Sequence, residues 1–340
     1  MSEKKELTAL TALKGIFCLL IAFHNTLCVQ FLFDNVPGTS FIVLFGGTLG
    51  NSVFLTVSGF LFAYNYRGRI QSHQVPFSTF LFRRLSRLYP LYLLSNGVSL
   101  VLSVLKYGPS AINLTRIASI LLLQSFDPYN PPTWFLTALF ACYLLFYFIS
   151  YHSRSNTHYF CGISACVMLA FSLQSGLPFL GTRYCFAYLN FFMGCILAEV
   201  YPILLKKNRS WLPHACLAML GCIGFLLLKY GVEIISGNVE KAFSLFLTPL
   251  VLYIALSGGI YEKILKMKFL VYLGRISTSV YFWHMPVFCI FTDLIVKGSI
   301  TETQYLIYAA LLFICAVLSN RFLENRKQPR TLHTGDPVQN

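Results

Sequence analysis

An all-α polytopic membrane protein, a bundle of about ten transmembrane helices with both termini in the cytoplasm, is the architecture this sequence predicts, and three properties predict it. Of its 340 residues 56% are hydrophobic and 11% are charged, with a mean hydropathy of +0.65, whereas a soluble domain carries about 25% charged residues. Apolar runs of about twenty residues, the length that crosses hydrocarbon as a helix, recur along the whole chain. The alternating segments of about ten residues that mark a membrane β-barrel are absent, and in lipid only helices and closed barrels satisfy every backbone polar group.

Taken in order, the runs fall at 9–31, 41–64, 88–105, 117–125 with 133–150, 159–175, 185–204, 212–230, 241–258, 269–292 and 305–323. The first comes after a charged leader, Ser2 to Glu6. With no small-residue cleavage site behind it, that run is expected to stay attached as a span. Ile117 to Leu123 is too short to cross, and Asp127-Pro128-Tyr129-Asn130-Pro131-Pro132 breaks it from the next apolar run. It is expected to be an interfacial or re-entrant piece leading into a span that starts near Trp134. Residues 1–330 form one transmembrane domain and 331–340 a polar tail.

Orientation is set by the cations. With ten spans, 20 of the 26 Lys and Arg residues fall on the side that holds the termini, while the twelve acids divide evenly. The formal charge of +14 therefore lies on that face, which makes it cytoplasmic. A basic excess confined to short loops beside spans is a topology signal, so no nucleic-acid partner is expected. The eleven cysteines lie mostly in apolar runs without Cys-x-x-Cys or Cys/His metal spacing, so no metal is expected.

Four stretches are polar where lipid forbids it or basic beyond what topology needs. In the first span Lys14 opens the run and His24 interrupts it, with Asn25 and Thr26 behind. An ionisable side chain within a span must be paired or face a cavity, and is a functional candidate by default. On a helix Lys14 and His24 lie about 15 Å apart axially and about 80° apart around the axis. In the second, Asn51 to Phe60, the spacing of Ser52, Thr56 and Gly59 gives one close-packing face. In the third, Arg83, Arg84 and Arg87 exceed topological need and suit phosphates, those of lipid headgroups included. The fourth, Leu273 to Pro286, carries a second intramembrane histidine, His284, beside a helix-kinking Pro286.

Together these residues are similar, in order, to the acyltransferase-3 family of integral membrane O-acyltransferases: a basic residue, Gly and His in the first span; Ser58-Gly59-Phe60 ending a Phe-rich second; Arg-Arg-x-x-Arg-x-Tyr-Pro at 83–90; Trp134-Phe135-Leu136 opening a later span; and Leu-Gly-x-Ile-Ser with Tyr-x-x-His-x-Pro near the end. The likeness runs from Leu10 to about Glu324. It implies O-acetylation of a polysaccharide or related molecule: an acyl group, usually acetyl, passes from acyl-CoA (acetyl-CoA), the co-substrate in the cytoplasm, to a hydroxyl of a glycan or lipid-linked sugar acceptor at the outer face. It also implies His24 and its basic partner Lys14 as catalytic and Arg83, Arg84 and Arg87 as the site for CoA; Asn25, Ser58, Trp134 and His284 are expected as substrate contacts, with a structural role for His284, orienting other groups, ahead of a direct chemical one. A bacterial plasma membrane is the expected location.

Two departures stand out. The family pattern usually has an arginine with ten residues between it and the histidine, on one helix face. Here a lysine has nine between, so either a helix irregularity restores alignment or the lysine stem reaches round. Many members also carry a glutamate where this chain has Leu139. The expected chemistry is general-base attack by neutral His24, with a covalent acyl-histidine as the variant. A transporter or flippase of a polar or lipid-linked sugar, its path lined by His24 and His284, is the alternative from another class.

Overall fold

Where water is excluded, a helix is the cheapest way for a backbone to bond to itself, and the chain uses nothing else for its regular structure among the described residues. The computed structural model describes residues 7–26, 40–122, 128–173, 180–206, 210–230, 243–295 and 301–324, and among these there is no strand. The helices are α1 (Thr8–Asn25), α2 (Ser40–Gln71), α3 (Phe77–Tyr107), the short α4 (Leu114–Ile120), α5 (Trp134–His152), α6 (Asn156–Ser172), α7 (Thr182–Lys206), α8 (Leu212–Tyr230), α9 (Thr248–Leu256), α10 (Gly259–Leu265), α11 (Lys268–Ile290) and α12 (Glu302–Ser319). The leader and the 331–340 tail lie outside the described residues.

Helical residues lie within each of the ten expected runs. Among the described residues five helices are long and apolar enough to cross a membrane alone: Thr8–Asn25, Phe77–Tyr107, Pro131–His152, Thr182–Ile203 and Thr303–Leu323. A sixth counts if Leu245–Leu256 and Gly259–Leu265, bent by 90°, are one span. α2 and α11 lie outside that set. They carry Asn51, Ser52, Thr56 and Ser58, and Arg275, Ser277, Thr278 and His284, in their middles, and most of these are buried in protein.

Two close crossings hold the centre, α2 against α7 and α1 against α11. At the first, a β-carbon on Gly59 would overlap the Phe191 carbonyl, and one on Gly194 the Thr56 carbonyl. At the second, a β-carbon on Gly274 would overlap the Thr11 carbonyl, and Gly15 meets Gly274 in turn. Lipid tails are as apolar as leucine, so helix association here rests on backbone approach and dispersion. The Ser52-Thr56-Gly59 face thus packs as its spacing suggests. Arg67 of α2 pairs with Glu199 of α7, and its guanidinium lies 4.4 Å from the Tyr159 ring on α6.

Pro286 shapes the remaining joint. A proline removes the N–H that would bond the carbonyl four residues back, here that of Phe282. Asn130 fills the place: its Nδ2 donates to the Phe282 carbonyl at 2.8 Å. Next to it the Tyr281 hydroxyl donates to the Pro132 carbonyl at 2.8 Å. The Asn130–Thr133 segment, which leads into α5, is thereby attached to two consecutive residues of α11.

Candidate functional site

The same four helices, α1, α2, α5 and α11, build two cavities, one near each end. The first, of about 300 Å³, takes Lys14 from α1, Ser58 and Asn65 from α2, Arg84 and Arg87 from α3, Leu139 and Tyr143 from α5, and Thr278 from α11. Three cations and, among the described residues, no carboxylate line it, a composition suited to a polyanion. The Arg84 guanidinium lies 4.4 Å from the Phe62 ring and 4.7 Å from that of Tyr66. Stacking fixes its plane and leaves its edge for bidentate bonding. Lys14 sits 5.8 Å from the Phe54 ring.

The second cavity, also about 300 Å³, is lined by Asn25 of α1, Asn51 of α2, Pro131, Pro132 and Trp134 at the start of α5, Arg183 of α7, and Tyr281 and Met285 of α11. Amides and an indole face make a wall of a different kind, apt for hydroxyls and a sugar-like ring. The Arg183 guanidinium stacks 5.6 Å from the Trp134 ring. Asn51 holds a buried Oδ1 without a hydrogen-bond partner among the described residues. Lys14 and Asn25, one at each cavity, stand eleven positions apart on α1, about 16 Å along that helix.

His24 is half-buried at the second-cavity end, beside Asn25. A β-carbon on Gly47 would lie 2.8 Å from its Cδ2 and 3.1 Å from its Nε2, so α2 approaches the ring through a glycine. The residues lining the two cavities do not include His24. His284 is fully buried. Its Nδ1 lies 2.7 Å from the Tyr281 carbonyl, which can only accept, so Nδ1 carries the proton. That leaves Nε2 to accept from Asn25 Nδ2 at 3.1 Å. His284 thus orients Asn25, the neighbour of His24, and lines neither cavity.

The structure places the expected site residues as follows. α1 runs as one α-helix through both Lys14 and His24, with no irregularity that would align them, and Lys14 enters the first cavity, away from His24. Arg83 is exposed and lines neither cavity, whereas Arg84, half-buried, and Arg87, exposed, both line the first. Ser58 and Trp134 lie in different cavities, one in each. Leu139 lines the first cavity as an apolar residue. Sequence reasoning passed over Tyr281, Asn51 and Arg183. The signals for them were slight: the Tyr-x-x-His-x-Pro pattern, the polar start of the second stretch and an arginine on the cation-poor side.

Comparison with known proteins agrees with this architecture. The acyltransferase-3 family model, described as an acyltransferase domain, matches residues 7–320. The chain is 31% identical over 140 residues to O-acetyltransferase OatA of Staphylococcus aureus (strain NCTC 8325 / PS 47), a match covering 39% of this chain and 23% of that protein. It is 28% identical over 152 residues to acyltransferase MdmB of Streptomyces mycarofaciens, covering 41% and 38%. The matched stretches thus span less than half of either relative. No solved structure matches. With a family model covering nearly its whole length, the chain belongs to the acyltransferase-3 family.

Proposed function

We propose that the protein is a multi-pass O-acyltransferase of a bacterial plasma membrane that moves an acyl group, acetyl in the first instance, from cytoplasmic acyl-CoA to a hydroxyl of a cell-surface or lipid-linked glycan. The observation that carries this reading is the pair of cavities built by the same helices, one cationic and one lined by amides and an indole. Two chemically different reactants approaching from opposite leaflets need such a pair. Lys14, Arg84 and Arg87 hold the phosphates of CoA, and the pantetheine arm carries the thioester inward. The acceptor hydroxyl lies among Asn25, Asn51 and Trp134. The cytoplasmic position of both termini and the remaining crossings complete the topology.

His24, next to Asn25, takes the proton as that hydroxyl attacks the thioester, a general-base step worth about 10²–10⁴-fold. His284 holds the Asn25 amide in register. The reading is tested with purified protein, acetyl-labelled acetyl-CoA and a cell-surface glycan fraction. Label is expected to pass to glycan with the native chain and to fall by about 10²-fold or more in His24→Ala, while that variant still elutes as a folded membrane protein. Full transfer by His24→Ala removes the histidine from the chemistry. Absence of transfer and hydrolysis with the native chain leaves a carrier of sugars as the better account.

A further inference from the structure

The two cavities share one lining side chain, Tyr281. Its ring lies 5.2 Å from Phe135 and 6.2 Å from Phe54, and those two meet edge to face at 5.4 Å. α11, α5 and α2 therefore each give one ring to a three-membered cluster, and all three rings line the cationic cavity. From the other side Tyr281 faces the cavity of Asn25, Asn51 and Trp134. Its hydroxyl is tied to the Pro132 carbonyl at 2.8 Å, and the next residue receives Asn130. The position of the ring is thus set from the turn that opens α5.

This restraint is firm but not permanent. A neutral hydrogen bond and an aromatic pair are each modest restraints once water is the alternative. Both lie within the binding energy of a ligand filling either cavity. Reaction brings the acyl carbon and the attacking oxygen within about 3–3.5 Å, so the partition has to yield when both reactants are present. It must hold while only the thioester is bound, because water is a competing acceptor.

We propose that Tyr281 is the partition residue of the acyl transfer, keeping the thioester from water until the acceptor cavity is filled. The proposal rests on the acyl-transfer reading given above. In transfer, the acceptor oxygen forms the new C–O bond as the C–S bond breaks, and its proton passes through the base to the leaving thiolate. In the leak that Tyr281 prevents, water is the attacking species, and a carboxylic acid and free CoA thiol are the products. Tyr281 acts by position and exclusion; it donates nothing to the reacting atoms.

The test uses the purified full chain with acetyl-labelled acetyl-CoA alone, then with a glycan fraction, reading released acetate and acylated glycan separately. Tyr281→Ala is expected to release acetate on the order of tenfold faster than the native chain and to raise the ratio of hydrolysis to transfer. A purely structural defect lowers both rates together. Tyr281→Phe keeps the ring and is expected to leak less than Tyr281→Ala. Phe135→Ala, which removes a second ring of the cluster, is expected to leak as well. Should neither alanine variant elute as a folded protein, Tyr281→Leu carries the comparison, with the same rise expected. Variants that bind acetyl-CoA yet release acetate at the native rate overturn the proposal. A native chain that neither binds nor turns over acetyl-CoA instead sinks the acyl-transfer reading, and this proposal with it.

Discussion

Aromatic side chains hold two of the charged groups in the cationic cavity. Arg84 lies over Phe62 and Tyr66, and Lys14 near Phe54, which keeps these cations oriented in a site of low dielectric where an anion gains most from them. Arg83, the residue before Arg84, is exposed and outside the cavity. The motif of three arginines therefore splits. Arg84→Gln and Arg87→Gln are each expected to raise the KM for acyl-CoA by about tenfold or more, since a hydrogen bond to a charged group contributes about 1.5–3 kcal/mol. Arg83→Gln is expected to change it by less than about threefold, as for an exposed charge. Titration of acetyl-CoA in steady-state assays checks this, and equal effects at all three positions would contradict the assignment. The sequence marked the cluster as a phosphate site, but which arginine faces inward depends on the rotation of α3 against α2, and a basic run does not carry that information.

Among the helices, α11 shows how a local irregularity becomes a tertiary joint. Pro286 frees the Phe282 carbonyl, and Asn130, far away in sequence, donates to it. Removing the amide leaves a buried acceptor unsatisfied at a cost of about 1–3 kcal/mol. Asn130→Ala is therefore expected to lower the thermal stability of the detergent-solubilised protein. Pro286→Ala restores the helical N–H that can serve Phe282, so the double variant is expected to be less destabilised than the sum of the two singles. Strict additivity would show that the proline and the amide do not share this carbonyl. That Pro286 frees a helical carbonyl was legible from the residue alone. Its partner was not, because nothing local links a turn before α5 to a carbonyl within α11. The Gly59 face was legible through the small-residue spacing of Ser52, Thr56 and Gly59, whereas the matching Gly194 on α7 becomes meaningful only where the two backbones meet.

For the molecule as a whole, the consequence of two cavities at opposite ends of one set of helices is sidedness. In sealed vesicles, acetyl-CoA supplied to the face of Lys14, Arg84 and Arg87 is expected to support acylation of a glycan held on the other face, and acetyl-CoA supplied only to the second face is expected to support none. Comparison of inverted and right-side-out vesicles measures this, and equal rates in both would remove the two-sided mechanism. α2 and α11 bury serines, threonines and His284 in protein, so polar groups that lipid would reject are satisfied or placed against a cavity.

Composition and the recurrence of apolar runs are properties of the chain read locally, and they suffice for a helical membrane protein, because the bilayer judges each segment by its own length and polarity. The ordered motifs likewise identify the family. Which polar groups share a cavity is a matter of helix rotation and of close crossings at Gly15, Gly59, Gly194 and Gly274. Those crossings bring Tyr281 between the two cavities. Such placements arise from contacts between residues more than a hundred positions apart, so they come into being only when the helices pack.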